Sequence, residues 1–403
     1  MSHLTTVLKS KAKLAALKLA VTVLPAPRPI VLMGPDSALQ LCGTVSHMGV
    51  RKVLIVTDAV LHKLGVIDPV TAKLKEYGVE TAIFTGVTPD PTVSVVEKGL
   101  TMLRGERCDA VLALGGGSSI DAAKVMALAA GNSKQPRELI GILKARKPSL
   151  PLFVIPSTAG TGSEVSIGAV ISDDQTHQKG IVIDPRVVPV ATALDPVIMK
   201  GMPRSITADT GIDALTHAVE AWVADFANED TDFFAGAAVR MIFNHLPVAY
   251  ADGNNLEARE AMALASHYAG LAMNKAGLGY VHGIAHQLGA HYGIPHGRAN
   301  SIVLPYVLDF NRDVSAGRLA KLARLSGIST SQNDAQAADT FISHVRTLLA
   351  DLNIDTRVPN MNAADFPDMI AAAFSEVHGT YAVPKYMQYD DALRILQALK
   401  NAS

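Results

Sequence analysis

The chain has 403 residues, of which 49% are hydrophobic and 18% are charged, and its formal net charge is −1. This composition suits a soluble protein with room for two domain cores, and the near-neutral charge argues against nucleic acid or an anionic membrane surface as a partner. The two cysteines, Cys42 and Cys108, form no C-x-x-C pair. The sequence therefore predicts neither a disulfide scaffold nor a thiolate zinc site, and a reducing cytoplasm is expected.

A basic extension over residues 1–29 precedes the first predicted strand. No acidic residue occurs before Asp36, whereas the extension carries Lys9, Lys11, Lys13, Lys18 and Arg28. Its apolar stretch KLAALKLAVTVL resembles the core of a signal peptide, but Lys18 interrupts it and no convincing cleavage site follows. The stretch is also too short and too charged to span a bilayer. A surface helix with a proline-rich lead-in is predicted, and a weak membrane-surface or targeting role is the alternative.

Short apolar runs bounded by Gly, Pro or Asp recur from residue 30 to residue 204. They are rich in Val and Ile and predict strands over residues 52–58, 80–86, 109–117, 150–157, 179–185 and 188–196. Helical stretches, such as residues 119–130, lie between several of these runs. The alternation predicts an α/β domain over residues 30–204, with a mainly parallel sheet covered by helices.

From residue 205 to residue 403 the strand pattern mostly stops. Long periodic segments predict helices over residues 207–224, 230–250, 256–275, 314–326, 335–352, 363–375 and 389–400. A second, all-helical domain is therefore predicted for this part of the chain.

The loop after the predicted strand 109–117 has the composition of a phosphate site. In LGGGSSIDAAK, Gly116, Gly117 and Ser118 stand between a strand and a helix, where a flexible backbone and unpaired N–H groups attract phosphate. The segment is not the G-x-G-x-x-G fingerprint, because Ile120 replaces the last glycine. A tight strand-to-helix turn is the alternative interpretation.

Two further strand-end loops point to the same ligand. Asp58 ends the strand 52–58, where an acid can accept hydrogen bonds from adenosine ribose, although it can equally cap a helix. The segment IPSTAGTGSE, residues 155–164, is dense in hydroxyl groups and glycine. Three such loops predict one nucleotide lying across the carboxyl edge of the sheet.

Histidines are concentrated in VHGIAHQLGAHYGIPHG, which contains His282, His286, His291 and His296. Another helix carries Asp213 and His217 four residues apart in an apolar setting. A buried carboxylate is costly unless it is paired, and a divalent cation would pair it. Asp213, His217 and histidines of the 281–297 segment thus form a plausible shell for Fe²⁺, Zn²⁺, Mn²⁺ or Co²⁺. Satisfied core histidines are the alternative, and the H-E-x-x-H protease motif is excluded because its glutamate is missing.

A nucleotide site together with such a metal site suggests hydride transfer, with the metal acting as a Lewis acid on an alcohol oxygen. From about residue 30 to residue 400 the chain resembles the iron-containing (group III) alcohol dehydrogenases. The resemblance is carried by GGGSSID, IPSTAGTGSE, TGIDALTHAVEA and GYVHGIAHQLGAHYGIPHG. It implies a Rossmann-like dinucleotide-binding domain and an all-helical, dehydroquinate synthase-like metal domain. It also implies NAD-dependent oxidation of a primary alcohol or reduction of an aldehyde, with Fe²⁺ as the expected metal.

The resemblance also assigns roles to individual residues. It implies the metal ligands Asp213, His217, His282 and His296, and it makes His286 a catalytic histidine near the nicotinamide. It implies cofactor contacts at Asp58, Gly116, Gly117, Ser118, Ser157, Thr158, Thr161, Ser166 and Lys179. The glycines and Pro295 would turn the chain so that His296 returns to the metal of His282, while His291 receives no role. A cytoplasmic homodimer or larger homo-oligomer is expected.

This chain departs from the family pattern at two cofactor loops. Ser157-Thr158 stands where two threonines are frequent, and Asp90 replaces the usual Asn of a P-N-P-T loop. Two relatives of the same architecture are alternatives, a glycerol or diol dehydrogenase and a dehydroquinate synthase-like lyase. The lyase would need several basic groups at the metal, and residues 204–298 offer only Arg204, Arg240, Arg259, Lys275 and Arg298.

Overall fold

The computed structural model describes residues 27–174 and 179–401, together with residues 7, 9–11, 13 and 14. The chain divides into two compact units. The first comprises Pro25–Met202 and Gly253–His267; the second comprises Pro203–Asp252 and Tyr268–Ser403, with the described residues near the N-terminus. The sequence predicts a single domain boundary, after residue 204. In the structure, the later segment Gly253–His267 also belongs to the first unit.

The first unit is built on a six-stranded sheet. Its strands are β1 (Ile30–Met33), β2 (Lys52–Asp58), β3 (Glu80–Val87), β4 (Ala110–Gly115), β6 (Leu152–Pro156) and β9 (Ala191–Leu194). They lie in the order β1-β9-β6-β4-β2-β3, and all neighbouring pairs are parallel. The predicted α/β fold with a mainly parallel sheet is confirmed.

Helices cover both faces of this sheet, and each face has its own core. Val111 and Ala113 of β4 pack into one apolar cluster, whereas Ala110, Leu112 and Leu114 pack into the other. Burial on both faces explains why the sequence of this strand is continuously apolar rather than alternating. The helices of this part are α1 (Ser37–His47), α2 (Ala59–Lys63), α3 (Asp68–Glu76), α4 (Val93–Gly105) and α5 (Gly117–Asn132), with 3₁₀ turns at Pro136–Leu139 and Pro185–Val187.

A second, three-stranded sheet in this unit was not predicted. It has the order β5-β8-β7, with β5 at Gly141–Ile142, β7 at Gly168–Ser172 and β8 at Lys179–Ile183. The strands β7 and β8 pair antiparallel. The run at 179–185 was expected among the other strands, but it forms this separate sheet instead.

The second unit is helical, as predicted. Its helices are α6 (Arg204–Val223), α7 (Glu229–Ala251), α8 (Leu256–Ala276, whose first part belongs to the first unit), α9 (Tyr280–Tyr292), α10 (His296–Leu325), α11 (Asp334–Asp351), α12 (Phe366–Val377) and α13 (Tyr389–Asn401), with a 3₁₀ turn at Ala363–Asp365. Within the described residues, none of the helices is both long enough and apolar enough to cross a membrane.

The prediction of α10 over residues 314–326 was too short at its N-terminal end. Residues 299–305 are all buried, so the first part of this helix lacks the polar face that reveals a helix in a sequence. Pro305 inside the helix further obscures the pattern.

Most of the basic extension, including part of its proline-rich lead-in, lies outside the described residues. Its described residues between 7 and 14 are helical, and Ser10 and Leu14 among them are buried rather than exposed.

Candidate metal centre and nucleotide loops

One face of α6 carries the first two candidate ligands. Asp213 and His217 are one helical turn apart, and Glu220 follows nearly one turn later on the same side. All three side chains are buried, with Asp213 1% and His217 4% exposed. An apolar helix that buries a carboxylate and an imidazole must supply partners for both groups.

The other two candidate ligands lie on either side of a chain reversal. His282 is in the first turn of α9, which ends at Gly293 in the left-handed conformation with φ 66°. Pro295 then precedes α10, whose first residue is His296. The predicted reversal through glycine and Pro295 is therefore present, and it returns His296 to the neighbourhood of His282.

The potential ligand atoms of Asp213, His217, His282 and His296 all lie within 4.8 Å of one another. His217 Nε2 is 3.0 Å from His282 Nε2, and His296 Nε2 is 3.5 Å from Asp213 Oδ1. Two imidazole nitrogens facing each other at this distance need a proton or a cation between them. Three imidazoles and one carboxylate form a donor set that suits Fe²⁺, Zn²⁺, Mn²⁺ or Co²⁺.

Glu220 orients His282. Its carboxylate lies 2.6 Å from His282 Nδ1 and accepts hydrogen bonds from the amides of Val281 (2.7 Å) and Gly279 (2.9 Å). Because both oxygens already accept amide protons, His282 Nδ1 acts as the donor, which leaves the Nε2 lone pair on the side of His217. Burial raises the pKa of Glu220 to about 8, and the two amides oppose this shift. A cation on the far side of the imidazole would favour the ionised carboxylate.

Asn300 lies one turn after His296, and no role was predicted for it from the sequence. This fully buried amide donates to Asp213 Oδ1 at 2.7 Å, and its nitrogen lies 3.1 Å from His282 Nε2 and 3.2 Å from His296 Nε2. Its Oδ1 has no hydrogen-bond partner among the described residues. Buried polar atoms normally have a hydrogen-bond partner. The unsatisfied Asn300 oxygen, close to three candidate ligand atoms, therefore indicates a polar site that these residues alone leave incomplete.

His286 lies beside this group rather than within it. Its ring stacks on that of His296 with centroids 5.3 Å apart, and its Nδ1 is 2.8 Å from Glu376 Oε1. The same oxygen accepts the hydroxyl of Tyr381 at 2.9 Å. His291, in contrast, is exposed near the end of α9.

In the first unit, the three predicted nucleotide loops meet at one edge of the sheet. The strands β2, β4 and β6 are adjacent and parallel, so their carboxyl ends lie side by side. The loops that follow them contain the predicted cofactor residues Asp58, Gly116, Gly117, Ser118, Ser157, Thr158 and Thr161. This edge is where nucleotides bind in open α/β sheets.

The helix α5 begins directly at this edge. Its N-cap residue, Gly116, has no side chain to cap the first-turn N–H groups, which remain available to an anion. A Cβ atom on Gly117 would lie 2.7 Å from Thr161 Cγ2, so only glycine permits this approach of the two loops. The amide of Ser157 donates to the carbonyl of Gly115 at 2.9 Å, which joins the chain at the ends of β4 and β6.

Asp58 serves as a helix cap. Its Oδ1 accepts hydrogen bonds from the amides of Val60 at 2.8 Å and Leu61 at 2.9 Å, at the start of α2. The alternative interpretation of this residue is therefore correct, but it uses only one carboxylate oxygen. The other oxygen accepts no hydrogen bond from the described residues and can still accept one from a ligand.

The last two predicted cofactor residues have partners within the protein. Ser166 receives a hydrogen bond from the fully buried Lys124 (Nζ–Oγ 2.8 Å) and donates to the carbonyl of Gly168 at 2.9 Å. Burial lowers the pKa of Lys124 to about 8. Lys179 Nζ lies 3.3 Å from Asp90 Oδ1. The carboxylate that replaces the usual asparagine is thus paired with a cation of the same predicted site.

Sequence reasoning missed Glu220, Asn300, Glu376 and Tyr381. A signal existed for the first two, since Glu220 shares a helix face with Asp213 and Asn300 follows His296 by one turn. Glu376 lies in the distant helix α12 and Tyr381 in the loop after it. The contacts His286–Glu376 and Glu376–Tyr381 depend on the packing of the folded chain, which sequence spacing does not reveal.

Comparison with known proteins identifies the family. Residues 28–196 match the profile described as iron-containing alcohol dehydrogenase, and residues 207–400 match the one described as Fe-containing alcohol dehydrogenase family, C-terminal. The NAD-dependent methanol dehydrogenase of Bacillus methanolicus is 38% identical over 377 residues, which cover 93% of this chain and 98% of the relative.

Solved structures give the same result. A 1,3-propanediol oxidoreductase superposes with a TM-score of 0.89 at 36% identity, covering 93% of this chain and 99% of the other. The sulfoacetaldehyde reductase of Bifidobacterium kashiwanohense, solved in complex with NAD⁺, superposes with a TM-score of 0.86 at 26% identity, covering 94% and 100%. With its motifs, both halves of its sequence and its fold in agreement, the chain belongs to the iron-containing alcohol dehydrogenase family.

Proposed function

We propose that this protein interconverts a small primary alcohol and its aldehyde with NAD(H), using a divalent metal ion held by Asp213, His217, His282 and His296. The observation that carries the proposal is the convergence of these four ligand groups within 4.8 Å, three of them buried. Among the divalent ions that suit the donor set, Fe²⁺ is favoured by the family to which the chain belongs.

When bound, the cation supplies Lewis acidity toward the alcohol oxygen, and NAD supplies the acceptor for the transferred hydride. The protein's part begins with the orientation of the ligands. Glu220 holds the His282 ring so that Nε2 faces His217 and the other proposed ligands, and Asn300 restrains the carboxylate of Asp213 through a 2.7 Å hydrogen bond. Partners of this kind keep the ligand groups in the geometry that binding requires.

His286 moves the proton in this proposal. An alcohol loses its hydroxyl proton as it becomes an aldehyde, and the unprotonated nitrogen of a neutral imidazole is suited to accept it. His286 is 16% exposed and stacks on the His296 ring, so it lies beside the ligand group without joining it. Its Nδ1 is engaged by Glu376, which leaves Nε2 as the atom that accepts the proton.

The loops of the first unit are proposed to bind NAD. The uncapped N-terminus of α5 would hold the pyrophosphate, as helix N-termini do in dinucleotide sites. Further contacts would come from Ser157, Thr158, Thr161, Ser166 and Lys179. The remaining oxygen of Asp58 would accept a ribose hydroxyl and disfavour NADP.

The substrate is proposed to be small because the similar proteins are named for methanol, 1,3-propanediol and sulfoacetaldehyde. We further propose a cytoplasmic homodimer or larger homo-oligomer. The edge strand β1 exposes Ile30 (59%) and Met33 (43%), an apolar edge that a second copy would cover. Light scattering on the purified protein tests the assembly.

The experiment that tests the function is a panel of alcohols and aldehydes with NAD(H), run on protein reconstituted separately with Fe²⁺, Zn²⁺, Mn²⁺ and Co²⁺. Metal-dependent formation of NADH from at least one primary alcohol is expected. Turnover that is equal with and without added metal would refute the role assigned to the four ligands.

A further inference from the structure

A carboxylate and a tyrosine outside the ligand group converge on His286. Glu376 Oε1 lies 2.8 Å from His286 Nδ1 and 2.9 Å from the hydroxyl of Tyr381. The side chains of His286 and Glu376 are 16% and 20% exposed, so bulk water competes weakly for these bonds. All three residues belong to the second unit.

Packing of two helices brings the carboxylate to the imidazole. Gly283, one turn before His286 on α9, faces Val377 at the end of α12, and a Cβ atom at this glycine would lie 2.5 Å from Val377 Cγ2. Glycine thus permits the close approach of α9 and α12 that places Glu376 against the ring. The chain then turns, with the amide of Tyr381 donating to the Val377 carbonyl at 3.0 Å.

The direction of both hydrogen bonds follows from the groups involved. Burial and the neighbouring Glu376 raise the pKa of Tyr381 well above its usual range, so its hydroxyl remains protonated and donates. A carboxylate accepts but does not donate, so His286 Nδ1 must supply the second proton. A neutral imidazole with its proton on Nδ1 has its lone pair on Nε2, at the far side of the ring.

We propose that Glu376, held in place by Tyr381, is a positioning residue that fixes neutral His286 as the Nδ1–H tautomer with Nε2 as the proton acceptor. The inference deepens the proposed function and rests on it only in the claim that His286 moves the alcohol proton. Without Glu376 the ring would rotate and populate the other tautomer, in which Nε2 carries a proton and cannot accept one. Tautomer control by a carboxylate has this effect in other histidine-dependent enzymes.

The kinetic test uses the full-length, metal-loaded protein. Glu376→Gln and Glu376→Ala should lower kcat by about 10²–10⁴-fold, the range of a lost proton-transfer group, with little change in KM for the alcohol. Tyr381→Phe should lower kcat less than these two variants do, and Glu376→Asp should be more active than Glu376→Ala. The matched control is Asp368→Asn, which removes a carboxylate from an exposed position on the same helix. It should leave kcat unchanged, and every variant should retain its metal.

A spectroscopic test is independent of activity. Long-range ¹H–¹⁵N correlation on histidine-labelled, Zn²⁺-loaded protein reports which ring nitrogen carries the proton, and His286→Gln assigns the signal. His286 should be protonated on Nδ1 in the unaltered protein and should shift toward the Nε2–H form in Glu376→Ala.

Three results would overturn the inference: an Nε2–H tautomer in the unaltered protein, a wild-type kcat in Glu376→Ala, or loss of metal from the Glu376 variants. Failure of the proton-transfer role assigned to His286 under the proposed function would look different. In that case His286→Gln would keep the turnover of the unaltered protein, while the tautomer of His286 in the unaltered protein would still be Nδ1–H.

Discussion

Cofactor choice should depend on a single charge, that of Asp58. Because its Oδ1 caps α2 through the amides of Val60 and Leu61, Asp58→Gly or Asp58→Ala would disturb the helix as well as the charge. Asparagine caps helices about as well as aspartate does. Asp58→Asn therefore removes the negative charge and leaves the local structure in place.

The size of the effect follows from the interaction that is lost. A hydrogen bond to a charged group contributes about 1.5–3 kcal/mol, which corresponds to roughly 10- to 150-fold in kcat/KM. The variant should lose about this factor with NAD, since its ribose contact becomes neutral. It should gain activity with NADP, because the negative charge no longer repels the 2′-phosphate.

The assay is steady-state kinetics with NAD⁺ and NADP⁺ at one saturating alcohol concentration. Asp68→Asn, which neutralises an exposed carboxylate in α3 of the same unit, is the matched control and should keep the original preference. Equal kcat/KM for the two cofactors in the unaltered protein, or an unchanged preference in Asp58→Asn, would refute the reasoning.

Two further predictions concern the second unit. Glu220→Ala should weaken metal binding by about 10–100-fold, because His282 loses the partner that orients it; competition with a chelator measures this, and an unchanged dissociation constant would contradict it. Removal of residues 1–29 should leave turnover per bound metal unchanged, since none of the proposed ligands or cofactor contacts lies there. Thermal unfolding should occur at least about 3 °C lower, because Leu14 is buried, and a folded but inactive truncation would show that the extension takes part in the chemistry.

The parallel sheet was predictable because burial on both faces requires apolar residues at every position. The strand predicted over residues 52–58 is observed at Lys52–Asp58. The strand β7, in contrast, was not predicted; it is only five residues long, and its short apolar run directly follows the glycine- and serine-rich loop 157–166. The start of α10 was missed for a different reason, since residues 299–305 near its beginning are all buried and give no polar face.

Part of the candidate site could also be predicted, because Asp213 and His217 share a helix face and the histidines after them are concentrated in one segment. Their supporting partners could not. Glu220 and His282 are 62 residues apart, and His286 and Glu376 are 90 residues apart. Such pairs depend on how α6, α9 and α12 pack, and local sequence spacing carries no information about that.

The central claim is that one metal ion, held by Asp213, His217, His282 and His296, is required for NAD-dependent alcohol oxidation. Anaerobic titration of metal-free protein with Fe²⁺, with bound metal and NADH formation followed together, tests it most directly. Turnover should rise in proportion to bound metal and level off at one ion per chain. His296→Ala should show neither tight binding nor turnover, whereas the exposed His291→Ala should match the unaltered protein. Full turnover in the metal-free protein, or in a His296→Ala protein that binds no metal, would contradict the account.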